Sequence, residues 1–148
     1  MNARSSGAIG IVGLVLTLGS GCSGGGDGIA RQAVSGSVTF DGKPLDHGEI
    51  ILNPIQAGPS AGGTVAGGAF KIDRSGGPAA GKYRVMIMSI QPTGRQVPDV
   101  EGPPGSKVAE QANVIPERYN FKTDLEIEVV REGPNQFTFD LVSKPKIK

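Results

Sequence analysis

From Val34 onward the chain alternates apolar and polar side chains with a period of two, the pattern of strands that bury one face. VSGSVTF sets Val34, Gly36, Val38 and Phe40 against Ser35, Ser37 and Thr39. The Asp-Gly pair and the proline of DGKPLDHG predict a turn, and EIILNP a second strand that stops at Pro54. After the loop IQAGPSAGG, TVAGGAFKID predicts a hairpin turning at Gly67-Gly68, with Phe70 and Ile72 on one face. In KYRVMIMSI, Tyr83, Val85, Ile87 and Ser89 alternate with Arg84, Met86, Met88 and Ile90. Apolar residues on both sides toward its end predict a central strand. DLEIEVV turns Leu125, Ile127 and Val129 inward and Glu126 and Glu128 outward, and QFTFDLV repeats the pattern with Phe137, Phe139 and Leu141.

Six or seven short strands separated by turns, with no helical pattern to cover them, predict an all-β fold of two packed sheets. Residues 91–113 break the rhythm. QPTGRQVPDVEGPPGSKVAEQAN holds four prolines and no sustained period, which predicts a long irregular loop, with one or two helical turns in SKVAEQAN. Loops of this length are uncommon in compact domains, and this one is expected to be either a mobile decoration or a contact surface.

The pattern before Val34 is of another kind. A weakly basic start at Arg4, an uncharged run from Ala8 to Leu18 and a small-residue exit form the layout of an export signal. Eleven apolar residues are too few to cross a hydrocarbon core of about 30 Å. The exit, GSGC, resembles the lipobox of bacterial lipoproteins, whose cysteine is acylated and becomes the mature N-terminus. Gly19 departs from that pattern, which prefers leucine three residues before the cysteine, here Cys22. The resemblance implies a signal peptide over 1–21 and lipid on Cys22, with the protein exported and held on a bacterial membrane at the outer membrane or periplasmic face. A single acyl chain binds a membrane only marginally, whereas two or more hold stably. The glycine-rich stretch 22–33 is then a tether, 34–143 the folded domain and 144–148 a basic tail.

Composition narrows the partners. With 24 glycines and 11 prolines among 148 residues the chain approaches low-complexity composition, but these residues punctuate apolar runs, as turns of an all-β domain do. Without Arg4, the 15 basic residues fall to 14, equal to the 14 acidic ones. No concentrated positive charge exists to meet a phosphate backbone, so nucleic acid is not an expected partner. Lys144, Lys146 and Lys148 are expected to be a solvated tail.

The strand motifs carry a second resemblance. Val34, Gly36 and Val38 in a V-x-G-x-V strand, Gly42 to Leu45 in a G-K-P-L turn, Gly68, Phe70 and Ile72, and then Gly81, Tyr83 and Val85 follow one another as in a known family. That order is similar to the carboxypeptidase-regulatory-like, transthyretin-related β-sandwich, over residues 34–90. IPERYNFKTDLEIEV and FTFDL resemble the ending of small exported lipoproteins of planctomycete-type bacteria. The resemblance implies an immunoglobulin-like (transthyretin/prealbumin-like) sandwich of about seven strands and explains the motif residues as architecture. In IPERYN, Pro116 ends a segment, Tyr119 packs and Asn120 suits a turn.

Catalytic chemistry finds little to work with. His47 is the only histidine and lies in a turn cluster, and the only cysteine, Cys22, is assigned to lipid. No zinc ligand set, phosphate-cradling motif or nucleophilic triad can be assembled. Asp41, Asp46 and Glu49 are the one set of carboxylates that would suit a hard cation, without the spacing of a known calcium loop. The sequence therefore predicts no enzyme, no metal and no cofactor. It predicts a noncatalytic lipid-anchored envelope domain that binds an envelope protein or serves a structural role. The alternative is a carbohydrate-binding module, for which Tyr119 and Phe121 are the candidate surface aromatics.

Overall fold

The computed structural model describes residues 28–144. In chain order its strands are β1 (Val34–Phe40), β2 (Lys43–Pro44), β3 (His47–Pro54), β4 (Ala61–Ala66), β5 (Ala69–Ile72), β6 (Gly81–Met88), β7 (Ile90–Pro98), β8 (Lys107–Asn113), β9 (Glu126–Val129) and β10 (Gln136–Leu141). Seven of them make one hydrogen-bonded path, β10-β1-β5-β4-β3-β6-β9, with β2 added beside β1. Every pairing in it is antiparallel except β1 with β10.

Along each strand of this path the buried residues fall on one face: Val34 and Val38, Ile50 and Leu52, Ala61 and Val65, Phe70 and Ile72, Tyr83, Val85 and Ile87, Ile127 and Val129, Phe139 and Leu141. All join one core, within which the Phe70 and Phe139 rings lie 6.1 Å apart. The helices among the described residues are two three-residue 3-10 turns, Arg74–Gly76 and Glu117–Tyr119, too short to cover a sheet. A sheet with one apolar face and no helical layer has to cover that face with itself. The path therefore folds over into a sandwich-like all-β body, as the alternation predicts.

Two close approaches explain why glycine recurs in the motifs. A Cβ on Gly36 would sit 1.8 Å from the Phe137 carbonyl oxygen, so β1 and β10 pair at this spacing only without a side chain there. At the β4–β5 turn both Gly67 (φ 56°) and Gly68 (φ 79°) take the left-handed conformation that a tight hairpin requires.

The two end strands of the path, β9 and β10, are joined by the turn 130–135. There the Asn135 carboxamide substitutes for a backbone rung. Its oxygen accepts from the Val130 N–H at 2.9 Å and its nitrogen donates to the Val130 carbonyl at 3.0 Å.

The registers also give the body two ends. Val34 pairs with Ile72, Leu52 with Ala61, Pro54 with Tyr83, and Gly81 with Val129, while the N-terminal segment enters beside them through the Arg31–Ala79 bridge. At the opposite end Phe40 pairs with Leu141, His47 with Ala66, and Glu49 with Met88. These are called the entry end and the far end below.

The irregular loop expected over 91–113 is instead an antiparallel ribbon, β7 with β8, and SKVAEQAN is strand rather than helical turns. Pairing wins here without burial. Both faces of the ribbon are polar or exposed, so neither strand carries the half-buried alternation by which strands are recognised in sequence.

Candidate functional site

The ribbon leaves the body at the far end, immediately after β6. Its root is fixed by polar contacts around the buried Ser89. The Ser89 hydroxyl donates to the His47 carbonyl at 2.7 Å and accepts from the Gln91 carboxamide nitrogen at 3.0 Å. Across the ribbon, the Asn113 side-chain oxygen accepts from the amides of Ser89 (3.0 Å) and Ile115 (3.1 Å). The Val114 N–H donates to the Ser89 carbonyl at 2.9 Å. Beyond this root the ribbon is held mainly by its own pairing, with Thr93 Oγ1 donating to Glu110 Oε2 at 2.7 Å and Arg95 3.7 Å from the same oxygen.

The tip is ordered by an Asx turn. Asp99 Oδ1 accepts from the amides of Glu101 (3.0 Å) and Gly102 (2.9 Å), and the Asp99 N–H donates to the Ser106 carbonyl at 3.0 Å. This turn presents Val100 to solvent at 93% exposure. Ile90 at the ribbon's root is also exposed and borders a shallow groove of about 420 Å³ with His47, Gly48, Glu49, Thr64 and Met88.

The residues of IPERYN close the far end. Asn120 is buried, and its carboxamide donates to the carbonyls of Ile115 (3.0 Å) and Pro116 (3.2 Å) and accepts from the Phe121 N–H at 2.6 Å. Thr123 Oγ1 donates to the Val85 carbonyl of β6 at 2.7 Å. On the other side Arg118 donates to the Val142 carbonyl, and the Tyr119 hydroxyl accepts from the Val142 N–H at 3.3 Å. The Arg118 guanidinium lies 4.8 Å from the centre of the Tyr119 ring. This segment therefore ties β6, on one side of the sandwich, to the end of β10 on the other. Its surface ion pair, Lys122 with Glu117 at 2.5 Å, lowers the Glu117 carboxyl pKa and raises that of Lys122 through their mutual hydrogen bond.

That arrangement separates the two candidate aromatics. Phe121 is 77% exposed, whereas Tyr119 is half-buried against the core and engaged with Val142. They do not form a paired aromatic platform. Asn120, expected in a turn, is in that turn and is also one of the buried polar anchors of the fold.

His47 opens β3 and is exposed, with Nδ1 3.4 Å from Asp46 Oδ2. Asp41, the one non-glycine residue with positive φ (50°) among those described, accepts from the Ser143 N–H at 2.8 Å. That backbone hydrogen bond holds its carboxyl below the usual aspartate range. Asp41 is thus committed to the C-terminal segment and does not converge with Asp46 and Glu49. Among the described residues no three His, Cys, Asp or Glu side chains group as metal ligands. Cys22, Lys146 and Lys148 lie outside the described residues, and Lys144 is exposed. Among the described residues no helix is long and apolar enough to cross a membrane.

The ribbon is the feature that the sequence pattern did not reveal. One signal for it was present: Val97 and Val108 flank the turn-forming GPPGS, and they pair in the structure. No protein-family model matches the chain, and neither a curated protein nor a solved structure matches it.

Proposed function

We propose that this chain is a noncatalytic, lipid-anchored cell-envelope domain of the carboxypeptidase-regulatory-like, transthyretin-related sandwich type. It is held to a bacterial membrane through acyl chains on Cys22 and works as a protein-interaction or structural module. The observation that carries this reading is the separation of its two ends. The segment leading back to Cys22 joins at the entry end, and the ribbon with its exposed Val100 leaves from the far end. From Cys22 to Arg31 the chain can span at most about 30 Å whatever its conformation. An acylated Cys22 would keep the entry end near the membrane and leave the ribbon free to meet partners.

The half-buried Tyr119 gives no support to a sugar-stacking platform, so the interaction reading is preferred to the carbohydrate one. Mass spectrometry of membrane fractions tests the anchor. The expected species is a peptide beginning at Cys22 and carrying acyl chains. An unmodified peptide spanning residues 18–30 as the only species overturns it.

A further inference from the structure

The two edges of the ribbon are not equivalent. Pro92 stands opposite Gln111, and Pro98 opposite Lys107. Proline has no N–H, so neither pair can exchange backbone hydrogen bonds, and both are the non-bonded pairs of the antiparallel ladder. By alternation Gln96 with Ala109 is a non-bonded pair too, whereas Val97 with Val108 and Gln91 with Ala112 are bonded. Lys107, Ala109 and Gln111 therefore turn their N–H and C=O groups away from β7, and all three are exposed. On the outer edge of β7 the corresponding donors are missing at Pro92 and Pro98, the usual way of closing an edge. One edge is blocked by proline. The other is an open row of donors and acceptors.

We propose that the β8 edge is a self-association site, at which β8 of a second copy of this chain pairs antiparallel about a two-fold axis at Ala109. Water satisfies these groups in a single copy, an extended strand can replace it along the whole row, and three observations favour a second copy. First, with Ala109 opposite its counterpart, Lys107 faces Gln111 and Val108 faces Glu110, so no like charges meet. A register centred on Glu110 would set two carboxylates against each other, which is unfavourable. Second, the product is a four-stranded sheet, β7-β8-β8-β7, and both of its outer edges carry Pro92 and Pro98. Association therefore ends at two copies. Third, a ribbon exposed on both faces is marginal alone, and added strands stabilise it. With 15 basic and 14 acidic residues, the chain's net charge of +1 is too small to drive copies apart.

The chain from residue 23 onward contains every strand described, so the test can be made in solution and is independent of the anchor. Sedimentation velocity from micromolar to millimolar protein is expected to show a monomer converting to a dimer. Hydrogen exchange over the same range is expected to show the amides of Lys107, Ala109 and Gln111 becoming protected as the dimer forms. Ala109→Pro removes an outward donor on each copy and is expected to raise the dissociation constant about tenfold or more. Ala109→Val, which keeps the donor, retains the dimer. Protection at Val108 and Ala112, whose amides point inward, reports that the ribbon of the proline variant is intact. A chain that stays monomeric throughout overturns the proposal. So does a dimer in which those three wild-type amides exchange freely, or one that Ala109→Pro leaves unweakened while its ribbon is intact.

Discussion

Asn120 shows how one residue type serves two purposes. Asparagine suits the turn that IPERYN calls for, but burial makes its carboxamide an obligatory hydrogen-bonding group. Asn120→Ala would leave the carbonyls of Ile115 and Pro116 and the amide of Phe121 without their partner. The expected cost is about 2–3 kcal/mol, read as a lower urea midpoint at unchanged slope. Asp41 makes the opposite case, an exposed residue with a specific role. Its folded-state pKa is lowered chiefly by the Ser143 N–H, so the ionised form is the one the fold favours. Its contribution is full above the unfolded-state value of about 3.9 and is lost as pH falls through the lower folded value. Below pH 4 the Ser143 amide should therefore lose protection, and the carboxyl carbon of Asp41 should titrate below the ordinary aspartate value by NMR. Asp41→Asn, which keeps an acceptor and tolerates positive φ, should remove the pH dependence of that amide. A Ser143 amide that loses protection with acid equally in the variant would show that Asp41 is not the cause.

At the scale of elements, the ribbon depends on its root. Ser89 and Asn113 form the only side-chain junction described that fixes both of its strands to β3 and the segment after β8. Asn113→Ala removes two acceptor contacts there. The amides of Ser89 and Ile115 should exchange faster, while core amides such as Val85, Ile87 and Val129 keep their protection. A uniform loss of protection would instead mean that root and body unfold together. The strands of the body were legible from sequence because each has a water face and a core face. Val34, Val38, Phe70, Ile72, Tyr83 and Ile127 all lie where their alternation put them. β7 and β8 were not legible, because a strand with two solvent faces has no apolar period. Its order comes from backbone pairing and from the Asp99 turn.

On the scale of the whole molecule, the sandwich sets where attachments go. The parallel pairing of β1 with β10 brings both strands into the body at the entry end, and both leave it at the far end. The C-terminal segment and the ribbon thus share one end, and Arg31, ahead of β1, is bridged to Ala79 at the other. If the anchor reading holds, Cys22→Ser should move the protein from the membrane to the soluble fraction without changing its circular dichroism, since Cys22 precedes every strand described. A variant that still sediments with membranes would point to a different attachment.

By itself the sequence determined most strands of the body and the buried faces of those that alternate, though it read Ala61–Gly63, the start of β4, as loop. Those features are local consequences of side-chain period and backbone sterics. It also raised the expectation of an anchor at Cys22, from motif alone. Only the tertiary structure decided three further things: that residues 91–113 are a ribbon, that Tyr119 is tied to the end of β10 while Phe121 faces solvent, and that β8 keeps an open edge where β7 is interrupted by Pro92 and Pro98. Each depends on which residues stand opposite one another across the chain. Pro92 and Pro98 say nothing about an edge until Gln111 and Lys107 are known to face them.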